Sequence, residues 1–301
     1  MVTFEDVSKA FKGGTTAVNK LNLTIDKGQF VVLIGPSGCG KTTTLKMVNR
    51  LIEPTSGEIY VHDKKARALN VVELRRNIGY VIQTIGLLPH LTVAANIALV
   101  PQLKGWSRAK CQARVEELLN MVGMDPSVFA GRYPAQLSGG QQQRIGVLRA
   151  LAADPELILM DEPFGALDPI TREQLQLELK RLQEQLKKTI IFVTHDMSEA
   201  LLLADRIIIM KDGAIVQDAA PEEILRHPAN DFVASFIGRS ARPQAVEELK
   251  VSDVMNPTPV TIEPERGLGE ALMRMQQQRV DSLLVVKDGV LKGVIRARDL
   301  Y

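Results

Sequence analysis

The sequence predicts a layered α/β fold built on a parallel sheet, and three features carry that prediction. Uninterrupted apolar runs, typical of strands buried on both faces, occur at residues 30–34, 157–160 and 190–193. A glycine-rich segment follows the first run, and apolar residues then recur at helical spacing. A long amphipathic pattern at about residues 173–186 separates the other two runs. Strands joined by helical crossovers form a parallel sheet with helices on its faces.

Shorter patterns predict the elements before and after the glycine-rich segment. Leu21, Leu23 and Ile25 alternate with polar residues, which indicates a half-buried antiparallel strand. Beyond the segment, the helical spacing of apolar residues continues to Ile52 and stops before Pro54. We therefore expect one helix to run from the segment to Ile52.

The remainder of the first 238 residues contains a helical block and a hairpin. Residues 91–153 are mostly helical in pattern, and we expect them to form a subdomain inserted before the strand at 157–160. Two short apolar runs within residues 207–217 flank an Asp212-Gly213 pair. Asp-Gly between two such runs is a strong signal for a tight β-hairpin.

The last part of the chain has a rhythm of its own. Residues 239–249 are polar and charged and are predicted to be a linker. Residues 250–301 follow a β-α-β-β pattern with a second Asp-Gly turn at residues 288–289. About fifty residues is marginal for an independent core. We expect this segment to pair with another surface.

Composition excludes several classes of protein. The 301 residues are 45% hydrophobic and 24% charged, which argues against disorder. A net charge of +2 gives no electrostatic footprint for nucleic acid, so no nucleic-acid partner is expected. Two cysteines, Cys39 and Cys111, cannot build a disulfide framework. The chain opens without a signal-peptide pattern and its apolar runs are too short to span a bilayer, so we expect a soluble protein.

The glycine-rich segment at residues 35–42 predicts a phosphate-binding loop. A chance match in a glycine-rich turn is the alternative, but the buried strand before it and the helix after it favour the functional interpretation. Backbone N–H groups of such a loop surround phosphates at a helix N-terminus. Lys41 is then expected to reach the β- and γ-phosphates, and the hydroxyl of Thr42 to bind Mg²⁺. The loop residues expected to bind nucleotide are Gly35, Ser37, Gly38, Cys39, Gly40, Lys41 and Thr42.

Two carboxylates, Asp161 and Glu162, follow the apolar run at residues 157–160. Ligands of open α/β sheets bind at the carboxyl ends of the strands. An Asp-Glu pair after a strand is by itself more often a helix start or a solvated turn. Together with a phosphate loop, the pair predicts a magnesium-side acid at Asp161 and a general base for the attacking water at Glu162.

Single polar residues follow two further predicted strands, Gln83 after residues 78–82 and His195 after residues 190–194. Taken alone, either would more often be a capping or structural residue. In a nucleotide-binding core, His195 is expected to contact the γ-phosphate. Gln83 is expected to sense the metal or the water from a mobile loop.

A second Ser-Gly-Gly segment, Ser138 to Gly140, lies about a hundred residues after the phosphate loop. It too could present backbone N–H groups to phosphate. A chain with both elements is expected to need a second copy of itself to complete one active site.

This ordered set resembles the ATP-binding-cassette (ABC) ATPases over residues 1–238. The resemblance implies a P-loop NTPase fold with a RecA-like core, an antiparallel β subdomain and an inserted helical subdomain at about 91–153. It also implies a head-to-tail homodimer that holds two ATP molecules with Mg²⁺ between a phosphate loop and the partner's Ser-Gly-Gly segment. Further nucleotide-binding residues that the resemblance implies are Phe11, which matches the adenine-stacking position, Thr43, Ser138, Gly139, Gly140, Gln141 and Asp168. Gly165 departs from the family pattern, in which Ser is common.

Residues 83–97 resemble the importer version of the segment that contacts a membrane permease. The sequence around residues 45–51 and 227–232 resembles that of the ATPases of osmoprotectant importers for glycine betaine, carnitine or choline. The implied partners are permease subunits and, indirectly, an extracytoplasmic solute-binding protein, with this chain peripheral on the cytoplasmic face of the membrane. The alternatives are an importer ATPase for another small solute, an exporter ATPase, or an ABC protein of translation or DNA repair.

The tail resembles one cystathionine-β-synthase-type (CBS) motif, either single or truncated. Related modules bind adenine nucleotides between paired motifs, and in some osmolyte importers the nucleotide is cyclic di-AMP. Arg296 stands where that pattern often has Ser or Thr, three residues before Asp299. The resemblance therefore leaves open a nucleotide site, a dimerisation role and an ionic-sensing role.

Overall fold

The computed structural model describes residues 1–11, 13–83, 86–165, 167–238, 259–278 and 280–297. The chain divides into two compact units, Met1–Arg242 and Pro243–Tyr301. The predicted linker at 239–249 lies outside the described residues, as do the first nine residues of the predicted tail motif and Asp299.

Strands and helices alternate through most of the first unit. Its strands are β1 (Val2–Ala10), β2 (Thr16–Ile25), β3 (Phe30–Ile34), β4 (Ser56–Val61), β5 (Lys64–Lys65), β6 (Ile78–Val81), β7 (Leu157–Asp161), β8 (Thr189–Thr194), β9 (Arg206–Lys211) and β10 (Ala214–Ala219). Its helices are α1 (Lys41–Val48), α2 (Val71–Arg76), α3 (Val93–Leu103), α4 (Arg108–Met121), α5 (Pro126–Phe129), α6 (Gly139–Leu151), α7 (Pro169–Leu186), α8 (Met197–Leu203), α9 (Pro221–Arg226) and α10 (Asp231–Ile237).

A six-stranded sheet in the order β10-β9-β3-β8-β7-β6 forms the centre of this unit. Its strands are parallel except for β10, which pairs antiparallel with β9. Every residue of β3, β7 and β8 is buried. The prediction of a parallel, fully buried core is confirmed, and the carboxyl ends of β3, β7 and β8 lie together at one edge.

The two faces of β3 contact different layers, because successive side chains of a strand point to opposite faces. Phe30, Val32 and Ile34 pack into the apolar cluster shared with the helices of the inserted block and with α7. Val31 and Leu33 pack into a second cluster with α1 and the antiparallel sheet β2-β1-β4-β5. The predicted antiparallel strand with Leu21, Leu23 and Ile25 is β2.

Helix α1 is shorter than the sequence predicts. It ends at Val48, because Arg50 adopts a left-handed backbone with φ of 55°. The N–H of Leu51 then donates to the carbonyl of Lys46 at 3.0 Å, and the N–H of Arg50 donates to Met47 at 3.2 Å. These are the two hydrogen bonds of a Schellman C-cap, which usually places glycine where this chain has Arg50. The predicted extension to Ile52 was wrong.

The inserted block contains α3 to α6. Helix α4 buries Cys111, Val115, Leu118 and Leu119, which share one face. The hairpin of β9 and β10 is also confirmed, with φ of 49° at Asp212 and 80° at Gly213, the left-handed pair of a type I′ turn. None of the helices in the described ranges is long and apolar enough to cross a membrane.

The second unit has the predicted β-α-β-β order. Its elements are β11 (Thr261–Ile262), α11 (Leu268–Gln278), β12 (Ser282–Lys287) and β13 (Val290–Arg296). Strand β12 pairs parallel with β11 and antiparallel with β13. The core is small, since it holds Ile262, Ala271, Met275 and Leu283, and several apolar side chains of α11 and β13 remain exposed.

Candidate nucleotide-binding site

The predicted phosphate loop connects β3 to the first turn of α1. Lys41 is buried, and its Nζ donates to the carbonyl oxygens of Gly35 at 2.7 Å and Pro36 at 2.9 Å. Gly38 and Gly40 have φ of 83° and 103°, a region that side chains disfavour. The loop therefore curls back over the Lys41 ammonium at the N-terminus of α1, where the helix dipole favours an anion.

Two glycines of the loop are also required by packing inside the protein. A Cβ on Gly35 would lie 2.1 Å from the carbonyl oxygen of Met210, and one on Gly40 would lie 2.2 Å from that of Ala17. The turn of the β9–β10 hairpin supports the same loop, because the N–H of Gly213 donates to the carbonyl of Cys39 at 3.2 Å. Strand β2 and the hairpin thus fix the loop before any ligand arrives.

Asp161, the last residue of β7, lies beside the loop. Its Oδ1 accepts a hydrogen bond from the Thr42 hydroxyl at 2.7 Å, and its Oδ2 lies 3.9 Å from Nζ of Lys46. Burial, and then the negative charge of Asp161, raise the pKa of Tyr80 to about 12. The structure brings together the carboxylate and hydroxyl oxygens that the sequence proposes as metal ligands.

The three predicted catalytic residues meet at one carboxylate oxygen. Oε2 of Glu162 accepts a hydrogen bond from Nε2 of Gln83 at 3.3 Å and lies 3.2 Å from Nδ1 of His195. A carboxylate only accepts, so this contact requires the proton on Nδ1 and leaves Nε2 of the ring as an acceptor when His195 is neutral.

Glu162 holds an unusual backbone conformation, with φ of 45°. Its N–H donates to the carbonyl of Val193 on the neighbouring strand β8 at 2.9 Å, which keeps the residue in place. Non-glycine residues in the left-handed region cost free energy and persist where surrounding contacts determine them. The turn directs the Glu162 side chain toward the ends of β6 and β8.

The Ser-Gly-Gly segment begins α6. Ser138 caps the helix, since its Oγ accepts from the N–H of Gln141 at 3.3 Å while Oε1 of Gln141 accepts from the N–H of Ser138 at 3.0 Å. A Cβ on Gly140 would lie 2.4 Å from Cγ2 of Thr171, whereas the nearest atom to one on Gly139 is Cδ2 of Leu167 at 4.0 Å. Packing explains Gly140 and leaves Gly139 unexplained.

Asp168 caps the neighbouring helix α7. Its Oδ1 accepts from the N–H of Thr171 at 3.0 Å, and this bond holds the pKa of the Asp168 carboxyl below its usual value. Among the hydrogen bonds of the described residues, none links Ser138, Gly139, Gly140, Gln141 or Asp168 to the phosphate loop. One copy of the chain therefore does not bring the two predicted halves into hydrogen-bond contact.

Phe11 and Thr43 are the two remaining residues that the sequence predicts to bind nucleotide. Phe11 is 43% exposed, and Nζ of Lys9 lies 5.3 Å from the centre of its ring. Thr43 is half-buried in the first turn of α1. The adenine-stacking role of Phe11 and the nucleotide contact of Thr43 stay predictions.

Sequence reasoning missed two residues that hold the segment after Gln83. Asn96 is buried in α3 and makes four hydrogen bonds: its Oδ1 accepts from the N–H of Leu88, and its Nδ2 donates to the carbonyls of Leu88, Leu91 and Thr92. Arg149 of α6 donates to the carbonyl of Gly86 at 2.6 Å. An asparagine inside the apolar run of α3 was the one available signal for the first of them.

Known proteins share both the sequence and the fold. The profile of the ABC transporter family matches residues 18–165, and that of the CBS domain matches residues 251–301. The chain is 61% identical to the carnitine transport ATP-binding protein OpuCA of Listeria monocytogenes serotype 1/2a (strain 10403S). The match extends over 297 residues, which are 98% of this chain and 75% of that protein. The chain belongs to the ABC transporter family.

Two further relatives extend this membership. The glycine betaine/carnitine/choline transport ATP-binding protein OpuCA of Bacillus subtilis (strain 168) is 58% identical over 98% of this chain and 78% of its own length. A dimeric post-hydrolysis structure of the ATP-binding cassette MJ0796, bound to ADP and Pi, is 39% identical with a TM-score of 0.66 and covers 73% of this chain and 99% of that chain. The predicted ABC ATPase fold and the CBS-type tail are confirmed.

Proposed function

We propose that this ABC protein is the ATP-hydrolysing subunit of an importer for quaternary ammonium osmoprotectants such as glycine betaine, carnitine or choline. The observation that carries the proposal is 61% and 58% identity, over 98% of the chain, to ATP-binding proteins named for transport of these compounds. The catalytic cluster at the end of β7 supports the hydrolytic part of the proposal. Other subunits would bind the solute.

The phosphate loop and its neighbours fit ATP with Mg²⁺. The Lys41 ammonium, buried under the loop, would exchange its carbonyl partners for β- and γ-phosphate oxygens. The Thr42 hydroxyl and the Asp161 carboxylate, 2.7 Å apart, are the oxygen ligands that Mg²⁺ prefers, and the amide oxygen of Gln83 would complete the protein side. Mg²⁺ held by these residues would supply positive charge to balance the negative charge that develops on the transferred phosphate.

Glu162 is the group placed to accept a proton from the attacking water. Its Oε2 is oriented by Gln83 and His195, and its backbone is held to β8 by the Val193 carbonyl. Positioning of the water and the base is the main contribution that a protein makes to phosphoryl transfer. Nε2 of His195, the ring nitrogen that does not contact Glu162, would face the γ-phosphate.

We also propose that a second copy completes each site in a head-to-tail dimer. A related cassette forms a dimer with ADP and Pi bound. Gly139 supports this arrangement, because no atom of the protomer lies closer than 4.0 Å to its Cβ position, so packing within the protomer does not require glycine there. The close approach of a phosphate held by the partner would supply the missing reason for glycine.

A pair of alanine substitutions tests this explanation. We expect Gly139→Ala to leave thermal stability equal or slightly higher, because alanine favours helix and meets no atom closer than 4.0 Å. ATP hydrolysis should nevertheless fall at least tenfold. Gly140→Ala, with its Cβ 2.4 Å from Thr171, should instead lower stability by about 1–3 kcal/mol. Full ATPase activity of the Gly139→Ala protein would remove the argument for a partner contact.

The inserted block supports a membrane partner. An open groove of about 780 Å³ runs along α3, α4 and α5, lined by Ala95, Ala98, Gln102, Arg108 and Gln112 among others. Thr92, whose carbonyl accepts a hydrogen bond from Asn96, also lines the groove, so a helix seated there would contact the turn that Asn96 holds. We propose that a cytoplasmic helix of the permease occupies it. The chain would then be peripheral on the cytoplasmic face, with a solute-binding protein on the other side.

Transport in reconstituted vesicles tests the function as a whole. We expect the chain to co-purify with the permease encoded beside it and to drive ATP-dependent uptake of radiolabelled glycine betaine, carnitine or choline. Vesicles with Glu162→Gln serve as the matched control. Uptake of a different small solute would support the other importer assignment. Release instead of uptake, or no permease partner, would contradict import.

For the CBS-type tail we propose pairing with another copy as the primary role. Leu268, Met273, Val290, Leu291 and Val294 are exposed apolar residues in this unit, whose described core has four buried apolar residues. Cyclic di-AMP and salt are the candidate regulators of such a pair. Two measurements separate the nucleotide from the salt as regulator. Calorimetric titration of the full chain tests binding of cyclic di-AMP, and ATPase activity over a series of potassium chloride concentrations tests the response to salt.

A further inference from the structure

Glu199 of α8 is a buried carboxylate outside the nucleotide site. It is 5% exposed, and Asp161 is the other carboxylate that is buried to this degree in the described part of the chain. Its Oε2 accepts from the Thr194 hydroxyl at 2.5 Å, and its Oε1 accepts from Nε2 of Gln176 at 3.0 Å. A buried charge needs such partners, and here they come from two other elements, β8 and α7.

The bond to Thr194 bears on the neighbouring His195. The Thr194 hydroxyl donates to Glu199 and also accepts from the N–H of Asp196 at 3.0 Å. The residues before and after His195 are therefore held by one hydroxyl, whose orientation Glu199 determines. His195 itself has a side chain that is 62% exposed, so its placement beside Glu162 depends on this backbone turn.

Two charged side chains act on the pKa of Glu199 in opposite directions. Burial raises the pKa of Glu199, and hydrogen bonds from Thr194 and Gln176 oppose that effect. Asp196 also raises this pKa, while Arg172 of α7 lowers it and lies 3.9 Å from Asp196. Both hydrogen-bond partners are donors, which suits the ionised carboxylate.

The bond to Gln176 connects the turn to α7. That helix begins at the Asp168 cap, and Thr171 in its first turn lies against Gly140. Gln176 follows Thr171 by about one and a half helical turns. A displacement of the start of α7 would reach the His195 turn through Gln176, Glu199 and Thr194.

We propose that Glu199 is a positioning residue that fixes the His195 turn and couples it to α7. The effect of Glu199 on hydrolysis rests on the proposed function, whereas its effect on the geometry of His195 does not. Glu199 does not touch nucleotide and acts through Thr194. Its loss should misplace His195 without removing a reacting group.

Two substitutions at Glu199 test the proposal with a direct readout. The chain has four histidines, so the ring resonance of His195 can be assigned by its loss in His195→Ala. We expect Glu199→Met to shift or broaden this resonance and to lower kcat about 10- to 100-fold with little change in the KM for ATP. Glu199→Gln should keep most of the wild-type resonance position and most of kcat. Its amide oxygen can still accept from the Thr194 hydroxyl, and a rotation of the Gln176 amide by about 180° lets the two amides pair.

Controls separate positioning from general stability. Gln183→Met removes a partly buried hydrogen bond of α7, from Nε2 of Gln183 to the carbonyl of Gly28 at 3.2 Å, and should leave the His195 resonance and kcat unchanged. The double variant Glu199→Met/His195→Ala should hydrolyse ATP no more slowly than His195→Ala. If Glu199→Met does not fold, the same hydrogen bond can be tested at Thr194. Thr194→Val removes the hydroxyl that donates to Glu199, whereas Thr194→Ser keeps it.

An unchanged His195 resonance in the folded Glu199→Met or Thr194→Val protein overturns the proposal. The proposal is also overturned if the fold loss of kcat in Glu199→Met/His195→Ala equals the product of the losses in the two single variants. Absence of ATP hydrolysis in the wild-type protein would instead contradict the proposed function. The resonance in nucleotide-free protein would still decide the positioning role.

Discussion

Glu162→Gln is expected to lower steady-state ATP hydrolysis by about 10²- to 10⁴-fold, the usual contribution of a general base. Glutamine has the same size and keeps an oxygen that can accept from Gln83 and His195 in place of Oε2. It cannot take a proton from water at neutral pH. ATP binding should therefore persist, because Lys41, Thr42 and Asp161 are unchanged, and the dimer should accumulate with ATP bound.

Three quantities are measured for the variant: the rate of ATP turnover, the affinity for ATP, and the molecular mass of the protein in solution with ATP, which reports the dimer. A matched control is Glu156→Gln, the same substitution immediately before β7, where Glu156 pairs with Lys27 at the other end of the strand. That variant should hydrolyse ATP at the wild-type rate. Wild-type turnover by Glu162→Gln would assign the base elsewhere, and loss of ATP binding would indicate a structural role for the Glu162 turn.

Much of the catalytic cluster could be predicted because each part has a local signal. An apolar run followed directly by a polar residue marks the end of a buried strand, and this pattern holds for Glu162 after β7 and His195 after β8. Strand ends at one edge of a parallel sheet necessarily lie together. The proximity of Gln83, Glu162 and His195 follows from these two facts, whereas their meeting at one carboxylate oxygen, at 3.2–3.3 Å, does not.

The contacts that support the cluster left no comparable signal. Arg149 bonds to Gly86 across 63 positions, and Gln176 bonds to Glu199 across 23. Such pairs depend on how helices pack, which hydrophobic spacing specifies only by face. The end of α1 was mispredicted for a different reason, because a left-handed Arg50 replaces the glycine that normally marks a C-cap.

The different constraints on Gly139 and Gly140 were also inaccessible from sequence. Both belong to the same Ser-Gly-Gly segment, and both were predicted to bind phosphate. The structure gives Gly140 a reason within the protomer, the Thr171 side chain, and gives Gly139 none. The structural argument for a second copy therefore rests on Gly139, in the exposed start of α6, because Ser138 already caps that helix.

Mixing two inactive variants tests that second copy directly. Lys41→Ala disables the phosphate loop, and Ser138→Arg places a long cation at the start of α6, where loss of the cap costs about 0.5–2 kcal/mol. Each variant alone spoils both sites of a head-to-tail dimer. A mixed dimer has one doubly damaged site and one intact site, built from the loop of the Ser138→Arg copy and the Ser-Gly-Gly segment of the Lys41→Ala copy.

With random exchange, half of the dimers are mixed and each holds one intact site, so we expect recovery of about a quarter of wild-type ATPase activity. The control is a mixture of Lys41→Ala with Glu162→Gln. Lys41 and Glu162 belong to the same side of one site, because Thr42 beside Lys41 bonds to Asp161 beside Glu162 at 2.7 Å. Those two lesions cannot complement, and that mixture should stay inactive. Recovery in both mixtures would place Lys41 and Glu162 on opposite sides of a shared site, whereas recovery in neither would mean that each protomer carries its own complete site or none.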